Sequence, residues 1–241
     1  MRRKSFLLGF GMLVLLAGGA AGVLALLWWH EPDFYRNVAV PPGPQRQQQS
    51  KEFQSRFVSL INGMIRHEND TFHEQFTDQQ INSYFDEDFL VTHLDRSVLP
   101  ADISRPRVAI EPNKIRLAFL YGREPWSTVV SIEMHAWLTK EPNLMALEIE
   151  GLRAGSLPIG AQSLLESVAE AARPHDIEVT WYRHKGNPVA LLRFQASKAT
   201  PTVHLERLEL RQGTIVIGGR SMERFPLRAM LNPSALKPAA N

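Results

Sequence analysis

Five side chains of the kind that hold metal ions, His67, Glu68, Asp70, His73 and Glu74, crowd into one short stretch. A helical zinc hydrolase site needs two histidines four residues apart, so that both imidazoles leave the same face. His67 and His73 are six apart, and the cluster reads as a solvated helix end. The acidic run Asp86, Glu87 and Asp88 in "FDEDF" lacks the Asp/Asn and Gly spacing of a calcium loop. It too reads as a polar helix end. For nucleophilic chemistry the chain offers no G-x-S-x-G elbow, no S-x-x-K and no glycine-rich loop to cradle a phosphate. His135 falls on the wetter side of an alternating segment, where surface histidines sit. Catalytic triads assemble from residues far apart, so missing motifs weigh little alone. No cluster nominates a catalytic residue, a metal or a cofactor, and the expectation is a protein that is not an enzyme.

Composition narrows the classes further. The absence of cysteine removes disulfides, thiolate nucleophiles, zinc–thiolate sites and a lipoprotein acylation site together. The 27 basic residues include Arg2, Arg3 and Lys4; without these three, 24 basic residues face 25 acidic ones. Nucleic-acid binding leaves a clustered basic footprint, and none follows residue 5. A chain of 241 residues, 44% apolar and 22% charged, has room for one globular domain.

The elements that would position any site begin with a membrane question. Residues 6–29 carry no charge. At about 1.5 Å per helical residue they span roughly 36 Å, more than the ~30 Å hydrocarbon core. A cleavable signal has a shorter apolar run followed by a small-residue site. Here the small residues Ala17 to Gly22 sit mid-run, so the segment reads as an uncleaved transmembrane anchor. Residues 1–5 then form a cytoplasmic stub, by the positive-inside rule, with Trp28, Trp29, Phe34 and Tyr35 as an interface belt. Gly18 and Gly22 form a GxxxG that suits a helix-dimer face. The expected location is a bacterial inner membrane, with the C-terminal domain periplasmic or extracellular.

Residues 30–50, rich in Pro and Gln, read as an extended tether. From Lys51, Phe53, Phe57, Leu60, Ile61, Met64 and Ile65 recur at helical spacing. A short second helix follows in "FTDQQINSYF", where Thr77 and Gln80 make a capping box. Hairpins then alternate through 107–121, 177–194 and 203–219, the last with a phase slip between Leu205 and Leu208 that suggests a bulge. A helix is expected over 159–172 and a loose tail over 233–241. The fold class is α+β: after the transmembrane helix, residues 51–232 form a curved, mainly antiparallel sheet of about seven strands packed with two to three helices.

In "WSTVVSIEMHAWL" (126–138), Trp126, Val130, Ile132, Met134 and Leu138 share one face, with Ser131, Glu133 and His135 on the other. With few helices to cover it, this apolar face suggests a groove toward the nearby bilayer, and these five residues are the candidate contacts for a lipid or other apolar ligand.

The order of anchor, amphipathic helix, "FTDQQINSYF", hairpins, "GLRAGSLPIG" and "LELRQGTIVIGG" resembles the membrane-anchored envelope proteins of the YpmS and LmeA type, themselves similar to tubular lipid-binding domains. The resemblance spans most of residues 50–220. It implies an extracytoplasmic role in lipid handling or envelope maintenance, with Asn82, Gly155, Pro158 and Gly213 as turn or helix residues. The second reading is a structural or interaction subunit of an envelope assembly, as a homodimer or with a protein partner and no small ligand.

Overall fold

The structure is a computed structural model that describes residues 18–65, 71–89, 102–160, 170, 173, 177–195 and 202–221. Residues 18–28 are helical (α1). The first twelve residues of the expected anchor lie outside the described residues, as do His67, Glu68, Asp70, nearly all of the helix expected over 159–172, and the tail. Among the described residues no helix is long and apolar enough to cross a membrane.

The expected tether is not extended. Helix α2 (Asp33–Asn37) folds onto the sheet, and α3 starts already at Pro44, running to Ile65. Proline costs nothing at a first helical position, because its missing N–H has no intrahelical partner there. Tyr35 of α2 is buried, donates its hydroxyl to the Arg105 carbonyl at 2.9 Å, and lies under the Arg107 guanidinium. Phe34 packs against the same cluster. Both rings are thus used inside the protein and are withdrawn from the expected interface belt.

After α3 come β1 (Thr71–Thr77), α4 (Asp78–Tyr84) and a π-helical turn (Phe85–Phe89). The capping box forms as the sequence requires: the Gln80 N–H donates to Thr77 Oγ1 at 3.1 Å, and the Thr77 N–H donates to Gln80 Oε1 at 3.0 Å. A strand at 71–77 replaces the helix end expected at His73 and Glu74. Phe72 and Phe76 are four apart, a spacing that suits a helix, but the chain buries them as alternate residues facing α3.

The remaining strands are β2 (Ile103–Glu111), β3 (Lys114–Tyr121), β4 (Thr128–Leu138), β5 (Leu144–Ala154), β6 (Leu157–Pro158), β7 (Ile177–His184), β8 (Asn187–Phe194), β9 (Val203–Arg211) and β10 (Thr214–Ser221). Seven form one antiparallel sheet in the order β2-β3-β4-β5-β8-β7, with β6 hairpinned onto β5. The three expected hairpins all form. The third belongs to a separate three-stranded sheet, β1-β10-β9. Its expected bulge is present: Gly218 pairs with Arg207 and Gly219 with Leu205, leaving Glu206 unpaired. The fold is α+β with a mainly antiparallel seven-stranded sheet, faced at one end by the smaller sheet and α3.

Two buried asparagines join these layers. Asn82 of α4 accepts from the Val108 N–H at 2.8 Å and donates to the Val108 carbonyl at 2.7 Å, completing the free edge of β2. Asn143, just before β5, accepts from the Leu205 N–H at 2.9 Å and donates to the Val203 carbonyl, linking the large sheet to β9. Each supplies a strand-like pair of hydrogen bonds where no strand can reach.

Candidate functional site

Strand β4 is a ruler for the inner face of the large sheet. Side chains at 130, 132, 134, 136 and 138 point the same way, by the two-residue period. At about 3.3 Å per residue, Thr128 and Leu138 stand roughly 33 Å apart. The Thr128 end meets α1, whereas the Leu138 end meets the small sheet and α3.

At the α1 end the face is closed. Val130 and Ile132 are buried in a cluster with Ile149, Leu152 and Ala154; Met134 and Trp28 pack against it. Trp126 lies outside β4, in the loop before it. Its side chain is 71% exposed rather than on the inner face. The loop ends before the strand alternation starts, so the period that placed Trp126 in phase with Val130 does not reach it. Of the five residues expected to touch a ligand, Val130, Ile132 and Met134 are core side chains and Trp126 is a surface one.

Leu138, alone of the five, lines a large cavity. That cavity, about 620 Å³, lies between the two sheets under α3. Its floor is Ala136, Leu138, Met145 and Leu147 from β4 and β5, with Ile115 and Phe194 at the sides. Its roof is Val203, Leu205, Leu208, Ile215 and Ile217 from the small sheet, with Leu60, Ile61 and Met64 from α3. The volume falls in the range of small-molecule sites, and an apolar lining with few polar groups is their usual character. The lining reaches the surface at Ile61, 38% exposed, and at Arg207. The α3 residues were visible in the sequence as one apolar stripe, but their partner surface was not.

Four polar residues line the cavity, and each is engaged by a hydrogen bond or ion pair within the protein. The Asn143 amide holds β9. Gln195 Oε1 accepts from the Thr202 and Val203 N–H groups at 2.8 and 3.3 Å, while its amide donates to Thr202 Oγ1 at 3.0 Å. Arg207 pairs with Glu209 at 2.6 Å, and Arg211 joins from the other side. Those contacts hold Glu209 below the usual carboxylate range and raise Arg207. Among the described residues, the buried side-chain nitrogens without a hydrogen-bond partner are Arg107 Nε and Arg116 Nε. Neither lines the cavity. What the cavity offers an occupant is apolar surface.

Among the described residues, the acidic run, Glu74 and His135 lie away from the cavity and have partners of their own. Arg46 pairs with Glu87 at 2.6 Å and Asp86 at 3.6 Å; Ser50 and Gln54 both donate to Asp88. The acidic run thus anchors the π-helical turn to α3. Glu74 reaches Arg56 at 3.7 Å, and His135 sits edge-on to Trp137. Among the described residues, no group of three or more His, Asp or Glu side chains is arranged to hold a metal ion. Gly18 and Gly22 are exposed, with nothing within 4 Å of a Cβ added at either. Among the described residues, the close approach that a GxxxG permits is unused. No family model, no curated protein and no solved structure matches the sequence.

Proposed function

We propose that this is a membrane-anchored extracytoplasmic binding protein that holds a lipid or other apolar ligand between its two sheets, without chemistry, in the service of envelope maintenance. The observation that carries the reading is the cavity of about 620 Å³ whose polar lining residues are all engaged. Close-packed interiors tolerate few voids larger than a water molecule. A space this large and this apolar fits an occupant that needs burial and few directed hydrogen bonds.

Support for the anchor comes from α1. Its described residues are all apolar or small, and it stands off the domain with Val23, Leu24 and Leu26 54–74% exposed. A helix apolar on every side belongs in a core or a bilayer, and among the described residues Val23, Leu24 and Leu26 stay exposed while only the C-terminal end of α1 meets the domain. The uncharged residues 6–17 extend the same segment to spanning length.

The test is native mass spectrometry of the full chain released from micelles, beside Ala136→Phe, which places a ring on the cavity floor. Lipid that co-purifies with the native chain and is missing from the variant is the expected result. Equal lipid on both, as annular lipid would give, or none on either, refutes the cavity as its seat.

A further inference from the structure

Where α1 enters the domain, its last carbonyls are gripped by the β-sheet. The Ser156 N–H donates to the Leu27 carbonyl at 2.8 Å, and the Thr128 hydroxyl donates to the Trp28 carbonyl. A helix end normally leaves these acceptors to water or to a cap; here the start of β4 and the β5–β6 turn supply the donors. Gly155 makes the approach possible. Its φ is +60°, and an added Cβ would collide with the Leu27 and Trp28 carbonyl oxygens. The indoles complete the joint in reverse, Trp29 Nε1 donating to the Pro125 carbonyl at 3.1 Å and Trp28 Nε1 to the Trp126 carbonyl at 3.3 Å.

A joint held from four directions fixes the height of the loop beside it. Trp29 and Trp126 stack with centroids 6.1 Å apart, and they are 49% and 71% exposed. Tyr121, 46% exposed, ends β3 opposite Thr128 at the same edge. Three large aromatic rings thus face outward at the level where the apolar helix leaves the domain. Tryptophan and tyrosine favour the headgroup level of a bilayer, where the ring is half in hydrocarbon and the N–H or O–H stays wet.

We propose that Trp29, Trp126 and Tyr121 form a ledge that rests in the interface of the bilayer crossed by this chain's own apolar segment, holding the domain upright. The proposal rests on the anchor reading above. The occupant follows from continuity: the ledge flanks the exit of an uncharged segment, and the grip on Leu27 and Trp28 leaves no free linker between them. A consequence is that the cavity stands away from that membrane. Ala136 and Leu138 lie eight and ten residues along β4 from the gripped end, roughly 26–33 Å at the strand rise. Ligand then has to be taken up at a distance from the anchoring bilayer, not from the leaflet beneath.

The absence of cysteine makes a direct test simple. Single-cysteine variants Val23→Cys, Glu124→Cys, Trp126→Cys and Lys140→Cys of the full chain are nitroxide-labelled in phosphatidylcholine/phosphatidylglycerol vesicles. Accessibility to oxygen and to a water-soluble nickel chelate then reads depth. All four sites are exposed, so labelling leaves the core intact. Expected is a label at 23 in hydrocarbon, labels at 124 and 126 several-fold less accessible to nickel than the label at 140, and 140 fully aqueous. Labels at 124 and 126 as nickel-accessible as 140, with 23 still in lipid, overturn the ledge and leave the anchor standing. A label at 23 that is itself aqueous overturns the anchor, and the ledge with it.

Discussion

Asn143 is the residue whose replacement tests most of this architecture at once. It is 3% exposed, adopts φ +57°, and joins the large sheet to β9 at the edge of the cavity. Asn143→Gly keeps the left-handed backbone at no steric cost but deletes the amide, leaving the Val203 carbonyl and the Leu205 N–H without partners. Abandoned buried groups cost about 1–3 kcal/mol each. Both sites are only partly buried, so the low end applies and the pair costs about 2 kcal/mol. Asn143→Ala loses the same two bonds and adds about 1–2 kcal/mol for a Cβ in left-handed backbone. The assay is urea unfolding of the full chain in mild detergent, followed by tryptophan fluorescence, with midpoints compared at unchanged slope. The expected order is native, then Gly, then Ala. Asn143→Gly within about 0.5 kcal/mol of native would falsify the claim that this amide joins the sheets. Gly and Ala variants of equal stability would remove the backbone half of the argument.

Two other outcomes follow from the same geometry. Ala136→Phe should leave stability unchanged or raised: in a close-packed site the added ring costs about 1–3 kcal/mol, whereas here it enters a void and gains apolar burial; a loss of that size in the same unfolding assay would mean that no usable cavity exists. Alkaline pH should weaken the fold. Burial raises the Tyr35 hydroxyl above its ordinary 10.0, and the hydrogen bond to Glu150 raises the Lys114 ammonium above 10.5. Both titrate higher in the folded chain than in the unfolded one, so their contribution is complete below about pH 10 and declines as pH rises through the folded values. Tyr35→Phe should flatten that decline as pH rises above the ordinary tyrosine value of 10.0, and an unchanged slope would exclude Tyr35 as a source.

Much of the fold was legible because it is local. Turn residues and alternation defined three hairpins, the capping box defined the start of α4, and a slip of phase between Leu205 and Leu208 located a bulge at the right residues. The site was legible only at Leu138. Alternation along 126–138 says which side chains share a face, and that was correct from Val130 onward. It carries no information on what covers each stretch of a strand roughly 33 Å long. One end of the face is packed solid by Trp28 and its neighbours, while the other is roofed at a distance by the small sheet and α3.

By itself, then, the sequence determined three hairpins with their antiparallel pairing, the apolar stripe of α3, the start of α4, the apolar character of the N-terminal segment, and the lack of local catalytic motifs. Only tertiary structure decided where the cavity lies, that Tyr35 and Phe34 face inward, that Trp126 faces out beside Trp29, and that "TFHEQFT" is a strand. The physical reason is range. Periodicity, caps and turns act over a few residues, whereas β1 owes its conformation to β10, where Thr71 pairs with Arg220, and the cavity owes its roof to residues about 50 or more positions away from its floor in the chain, on either side.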